Sequence, residues 1–493
     1  MPAPSSHTRS AEIRSRLDHP IVDADGHLTE FGPAFVECVR EVGGPAFFER
    51  FTRGMAERDV RGSDWAGWGR LSWQERRDRR ARRGAWWGQP TRNTLDAATA
   101  AVPGLLRARL DELGIDLVIS YGGLTLYLPL ELDDELRRVT VRALNLAQSR
   151  VYAEHADRII PAAAIPMFDP REALEELDYA VGELGHKVIM IPTGVPRPIP
   201  ALHRRCPEAF PEACWVDHYA LDSEFDYDPF WARCVELGVA VSAHGGVLPN
   251  LPWYGRSISS FAYNHLGNHA YGLGLLCKSL FLGGVPRRFP GLHFAFLEGG
   301  VSWAVAMFSE IVGAWDRRNL AALENTDPAN LDRERYLELV SRYGGALVEG
   351  KRELVAAGLD RMVEVVPEES RDEWAALRIE RREELRDLFA ANFYFGCEAD
   401  DSLTACAFDR RVVPFGARLR AIFGSDIGHY DVPDMARVVE EAGELVERGL
   451  LDEADFRDFA FGNAVRLHGG MNPDFFRGTS VESHAKEILQ GAR

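Results

Sequence analysis

Four short apolar runs in this chain of 493 residues each end on a side chain that can bind a metal. They are Ile21-Val22-Asp23-Ala24-Asp25-Gly26-His27, Val239-Ala240-Val241-Ser242-Ala243-His244-Gly245-Gly246, His293-Phe294-Ala295-Phe296-Leu297-Glu298-Gly299-Gly300 and Ala421-Ile422-Phe423-Gly424-Ser425-Asp426. A parallel barrel builds a site in this way, from side chains at the carboxyl ends of several strands. Asp25 and His27 are two residues apart, so on a strand they point to the same side. His244 and Asp426 would add another nitrogen and another oxygen donor. Glu298 and Glu30 are further oxygen donors within reach, and a carboxylate bridge from either would let the site hold two ions. The mixed set suits zinc, iron or manganese, one or two divalent ions per chain, and does not choose among them. A bound divalent ion polarises a carbonyl and lowers the pKa of water from ~15.7 to about 7.

Each of these residues also has a structural reading. Asp23 or Asp25 could form a turn, His244 could be a buried histidine bonded to backbone, Asp426 could cap a helix, and Glu298 could pair with an arginine. Their joint placement at strand ends argues for a shared site instead. Asp426 could then take a proton and return it to a leaving group. His265 and His269 lie in Tyr263-Asn264-His265-Leu266-Gly267-Asn268-His269. At i and i+4 they share a face if that segment is helical, and either could polarise a carbonyl or ligate a metal. His429, three residues after Asp426, is expected to face the substrate.

The elements that must position these groups alternate. Strands are expected at about 20–26, 115–121, 159–166, 187–192, 239–244, 293–298, 392–398 and 419–426, separated by helical patterns. That alternation implies parallel βαβ units, and eight of them imply a (β/α)8 barrel. Residues 1–19 read as a flexible leader, 20–470 as the barrel and 471–493 as a tail. Insertions are expected at about 40–100 and 305–390, the latter a charged helical stretch too long for one crossover. A Pro-rich loop of roughly 25 residues follows the fourth strand, longer than most connections. Lys187 falls at the beginning of that strand, the wrong end for a ligand.

The first insertion holds Trp65, Trp68, Trp73, Trp86 and Trp87 with Arg76, Arg77, Arg79, Arg80, Arg82 and Arg83. One reading is an exposed helix whose tryptophans pack on the barrel. The other is a lid in which Arg76 grips an anion and Trp86 covers apolar bulk. A substrate with both features, such as an acyl-CoA thioester, would fit the lid.

The formal net charge of −18 argues against a nucleic-acid or anionic-membrane binder. The seven cysteines are scattered without a C-x-x-C pair, as in reduced cytoplasmic proteins. No secretory signal and no run of ~18 apolar residues is visible. The extra surface of the insertions is compatible with a homodimer.

At this point the chain resembles the amidohydrolase-related family, metal-dependent barrels that include hydrolases and non-oxidative decarboxylases. The resemblance runs through Val22-Asp23-Ala24-Asp25-Gly26-His27, Arg109-Leu110-Asp111-Glu112-Leu113-Gly114-Ile115-Asp116, Ala243-His244-Gly245-Gly246, Gly283-Gly284-Val285-Pro286-Arg287-Arg288-Phe289-Pro290, Leu297-Glu298-Gly299-Gly300, Gly424-Ser425-Asp426 and Asn463-Ala464-Val465-Arg466-Leu467. It implies ligands at Asp25, His27, His244 and Asp426. Asp25 stands where relatives often carry histidine, and Glu298 stands where many decarboxylases do. The expected function is metal-dependent hydrolysis of a small carboxylic acid derivative: amide, lactone, ester or thioester. The alternatives are non-oxidative decarboxylation of an aromatic or enoic acid, and a barrel that binds without catalysis.

Overall fold

The computed structural model describes residues 8–57, 65–84, 92–245, 257–361 and 370–491. Its strands are β1 (Val22–Leu28), β2 (Leu117–Gly122), β3 (Ile159–Ala164), β4 (Val188–Pro192), β5 (Val195–Pro198), β6 (Cys214–Asp217), β7 (Val241–His244), β8 (Phe294–Phe296), β9 (Phe393–Glu398) and β10 (Arg420–Gly424). Eight of them form one sheet in the order β1-β2-β3-β4-β7-β8-β9-β10, with every recorded pair parallel. This is the (β/α)8 barrel expected from the alternation of strand and helix. No described helix is long and apolar enough to cross a membrane.

The two-residue period of the strands sorts their side chains into two cores. Leu117, Ile119 and Tyr121 of β2, Ala295 and Leu297 at β8, and Ile422 of β10 fill the barrel interior. Val118, Phe294, Phe296, Ala421 and Phe423 point outward to the surrounding helices. Tyr121 donates to Ser242 Oγ across the interior at 2.9 Å, which sets a polar floor beneath the strand ends.

β1 and β10 meet through a polar seam. His27 N donates to Ile427 O (2.7 Å) and Asp426 N to Asp25 O (3.0 Å). The buried Asp23 carboxylate accepts from Ser425 N (2.9 Å), Ser425 Oγ (2.5 Å) and Asp25 N (3.1 Å). A register irregularity between Asp23 and Gly26 lets β1 turn Asp23 to the seam. Gly26 leaves the room: a Cβ there would stand 2.5 Å from Asp23 Oδ2.

Three expectations are corrected. Residues 9–16 are not part of a flexible leader: they form a helix, Arg9–Arg16, capped by Thr8. Ser10 Oγ donates to Ala436 O at 2.6 Å, and Ile13 and Leu17 pack on the core. The 471–493 tail is structural as well, because Phe475, Phe476, Val481 and Ala485 join the barrel-interior core. The Pro-rich loop contains an antiparallel pair, β5 with β6. Prolines at alternate positions of β5 hid it, since proline cannot donate to a ladder.

Asn145, on the helix Asp134–Tyr152, ties that helix to β3 by bonding Ala164 N and O (2.8 and 2.9 Å) and reaches Glu176 Oε1 at 2.8 Å. Burial pushes the Glu176 carboxyl up to about 7, against the pull of Asn145 and Arg142. The folded state therefore holds this proton more tightly than the unfolded chain. Stability falls as pH rises from the unfolded value through about 7.

Two outcomes are expected. Glu176→Gln raises the melting temperature at pH 8, by up to about 3 kcal/mol of stability, and changes little near pH 4.5; a gain equal at both pH values would contradict the assignment. Asp23→Ala, which strands buried donors at the seam, lowers stability by about 3 kcal/mol, read by denaturant unfolding.

Candidate metal centre

The carboxyl ends of β1, β7, β8 and β10 bring five donors together. His27 Nδ1 bonds Tyr121 O at 2.9 Å, which turns Nε2 inward. His27 Nε2 lies 3.1 Å from His244 Nε2, 3.1 Å from Asp426 Oδ1, 3.5 Å from Asp25 Oδ1 and 3.8 Å from Glu298 Oε2. His244 Nε2 lies 3.3 Å from Asp25 Oδ1 and 3.1 Å from Glu298 Oε2. All five side chains are buried. Donors bound to one ion at about 2.1 Å sit about 3.0–3.5 Å apart, and most of these separations fall in that range. The shielded atoms Asp25 Oδ1, Glu298 Oε2 and Asp426 Oδ1 have imidazole neighbours, yet they and Asp426 Oδ2 make no hydrogen bond of normal geometry. The residues therefore fit a divalent cation, and two overlapping groups could hold one: Asp25, His27 and His244, or His27, Glu298, Asp426 and His429.

The backbone is bent to this purpose. Glu298 (φ 59°) and Asp426 (φ 51°) both adopt the left-handed conformation just past their strands. For residues other than glycine this costs roughly 1–3 kcal/mol each. Gly428 has φ 97° and lies against the His27 carbonyl, where no side chain could fit.

Electrostatics follow from packing charges without water. Burial pushes His27 down to about 3, helped by His429 and His244. Burial acts the same way on His244, but Asp25 and Glu298 outweigh it and hold it at about 10. His429 is held at about 9 against burial by Asp426. Glu298 stays well below the ordinary range, because His269 and His244 overcome its burial. Asp426 is raised by burial and then by Glu298. A cation among the carboxylates would take over the compensation that protonated His244 provides.

Around these five stand carboxylate–imidazole pairs. His269 Nδ1 is 3.0 Å from Glu298 Oε1 and His429 Nδ1 is 2.7 Å from Asp426 Oδ1. The His429 ring stacks on His27 with centroids 3.7 Å apart. His265 packs 5.5 Å from His269 and 6.0 Å from Tyr430, between ring centroids. The two histidines do not share a helix face: Gly267, at φ 72°, separates the helix Phe261–His265 from the helix Asn268–Leu282.

Other candidates lie elsewhere. Glu30 is not at the cluster; its Oε1 accepts from Leu124 N (2.5 Å) and Thr125 N (3.2 Å), capping the short helix Gly123–Tyr127. It therefore offers no bridge to a second ion. Arg76 is engaged within its own segment, with Nε 3.2 Å from Trp68 O and its guanidinium 3.6 Å from the Trp68 ring centroid. Trp86 lies outside the described residues. Lys187 donates to Phe475 O at the far end of the barrel.

Sequence reasoning passed over Glu398, the last residue of β9. Its side chain is exposed at the strand end, and desolvation, then Asp426 and Glu298, push its carboxyl up to about 8. Its position at a strand end was the signal, masked because an apolar run ending in Cys-Glu reads as an ordinary strand exit. Asp431 and Tyr430, which share the same field, carried no sequence signal beyond proximity to Asp426.

A family model described as amidohydrolase matches residues 131–348, just under half of the chain, and supports the resemblance read from the sequence. No curated protein matches. A solved amidohydrolase from Mycobacterium avium subsp. paratuberculosis K-10 is 17% identical, covers 92% of this chain and 98% of its own, and superposes with a TM-score of 0.51, a likeness of fold. A dihydroxybenzoic acid decarboxylase from Polaromonas sp. JS666, with bound manganese and 2-nitroresorcinol, is 15% identical over 91% of this chain and 97% of its own, TM-score 0.45. A 5-carboxyvanillate decarboxylase from Novosphingobium aromaticivorans DSM 12444, complexed with manganese, is 13% identical over 94% and 99%, TM-score 0.48.

Protein purified without added metal or a histidine tag should carry a divalent transition metal by elemental analysis, reduced in both Asp25→Ala and Glu298→Ala and unchanged in Glu30→Gln. Full metal content in Asp25→Ala would remove that residue from the centre.

Proposed function

We propose that this barrel is a metal-dependent hydrolase acting on a carbonyl derivative, with a single zinc, iron or manganese ion held by Asp25, His27, His244, Asp426 and Glu298. The ion, when bound, supplies Lewis acidity and a lowered pKa for water. The observation that carries the reading is the donor set: three carboxylates and two imidazoles, drawn from two groups that overlap at His27. Three carboxylates around a divalent cation leave a net negative charge. That disfavours a substrate carboxylate at the same centre, which decarboxylation would need, and favours a neutral amide, ester, lactone or thioester carbonyl.

The chain's own residues then handle the protons. His269 is tethered through Nδ1 to Glu298 and has no Nε2 partner among the described residues. Nε2 takes a proton from the attacking water and returns it to the leaving group. His265 stands behind it as a second imidazole. Asp426, paired with His429, accepts at Oδ2 the second proton, released as the product acid ionises. His429, with one edge of its ring open, faces the substrate.

The test is a panel of aryl esters, lactones and anilides turned over by metal-loaded protein in H2 18O. One heavy oxygen should enter the product acid with no carbon dioxide released. His269→Gln should retain the metal and lose at least about a hundredfold in kcat. Carbon dioxide from hydroxybenzoates, without label in the product, would replace hydrolysis by decarboxylation.

A further inference from the structure

Buried arginines in this protein are paired with acids. Arg109 holds Asp96 and Glu112 (2.6 and 2.9 Å), Arg137 holds Glu172 (2.9 Å), and Arg197 holds Asp217 (3.0 Å). The half-buried Arg76, Arg82 and Arg83 differ: among the described residues none meets a carboxylate. Arg82 is the one of these whose hydrogen bond, at 3.2 Å, goes to the carbonyl of Asn264, the residue before His265. Desolvation without an acidic partner is a cost that a ligand anion would remove.

Its location is the second observation. Asn264 locks the Arg82 segment to the loop beyond β7, donating from Nδ2 to Arg83 O (3.0 Å) and Ser257 O (2.8 Å) and accepting from Ser257 N at 2.8 Å. Arg83 adds bonds to Ser257 O and Ser259 O. The residue after Asn264 is His265, whose neighbour His269 touches Glu298. The charge of Arg82 reaches His265 and also Tyr127, and Tyr127 in turn feels Glu298. Through Asn264 and the adjacent His265, Arg82 is joined to the segment that brings His269 to Glu298. An aromatic cluster adjoins it: Phe261 packs on His265 (5.1 Å) and on Tyr430 (5.7 Å).

We propose that Arg82 is the anion-binding group of this site, and that the substrate carries a carboxylate at the end remote from the bond that is cleaved. The proposal rests on the metal centre being the reaction site. Carboxylate rather than phosphate follows from the geometry at Arg82: a single guanidinium, already spending one N–H on the Asn264 carbonyl, suits a monoanion better than a dianion. The aromatic cluster adds a flat, apolar middle. The substrate class is an aromatic or similarly planar acid bearing a second, neutral carboxyl derivative.

The test is calorimetric binding of benzoate, benzamide and phenyl phosphate to the metal-loaded protein, without turnover. Benzoate should bind at least about tenfold more tightly than benzamide, and Arg82→Met should weaken benzoate by about tenfold to a hundredfold while leaving benzamide unchanged. Arg82→Lys should recover part of the loss. The discrimination should persist in metal-poor Asp25→Ala. Benzoate affinity indifferent to Arg82→Met, or lost in Asp25→Ala alone, would place the carboxylate on the ion and overturn the proposal. Arg82-dependent preference for phenyl phosphate would overturn the choice of carboxylate. No binding of benzoate at all would also overturn it. Because no catalysis is read, failure of the hydrolytic reading leaves this outcome interpretable.

Discussion

Three carboxylates held beside two imidazoles in a nearly dry pocket repel one another, and the rest of the molecule is arranged around that repulsion. Asp25, Glu298 and Asp426 come from three different strands, so no local interaction forces them together. Only barrel closure does. The coulombic cost is offset in part by proton uptake on His244 and His429, and would be offset more fully by a cation. Asp23 matters because it sews the two strands that carry Asp25 and Asp426. A weak seam would let the carboxylates separate and the centre dissolve.

Stability is found away from the site. The strand interiors are almost entirely apolar, and aromatic contacts of the outer core, such as Phe389 with Phe393 of β9 at 5.3 Å, clamp the second insertion to the barrel. Buried arginine–carboxylate pairs such as Arg137–Glu172 orient neighbouring helices. Against this background the positive φ angles of Glu298 and Asp426 are affordable local strain, of the kind that clusters at functional sites.

One side of the site is walled by the first insertion and by the connection that follows β7. The segment around Arg82 and the helix Phe261–His265 interlock through Asn264, so the wall of the pocket is a composite of two distant stretches of chain. The barrel end supplies chemistry that many relatives could share. The composite wall combines aromatic rings with the guanidinium groups of Arg82 and Arg83.

The strand-end pattern by itself determined much of this protein. Apolar runs ending on Asp25-Gly26-His27, His244, Glu298 and Asp426 were legible because strand periodicity and barrel topology are written locally, residue by residue. The eight-stranded order followed from the alternation with helices. What the tertiary structure alone decided was which side chains share one space. Glu30 is only three residues from His27, yet it caps a helix, because the backbone turns after β1. His265 and His269 have helical spacing, yet Gly267 breaks the helix between them. Arg82 joins the loop beyond β7 through a contact across more than a hundred residues of chain, which no periodicity records. Distances between strand ends depend on closure, and closure is a property of the whole barrel rather than of any segment.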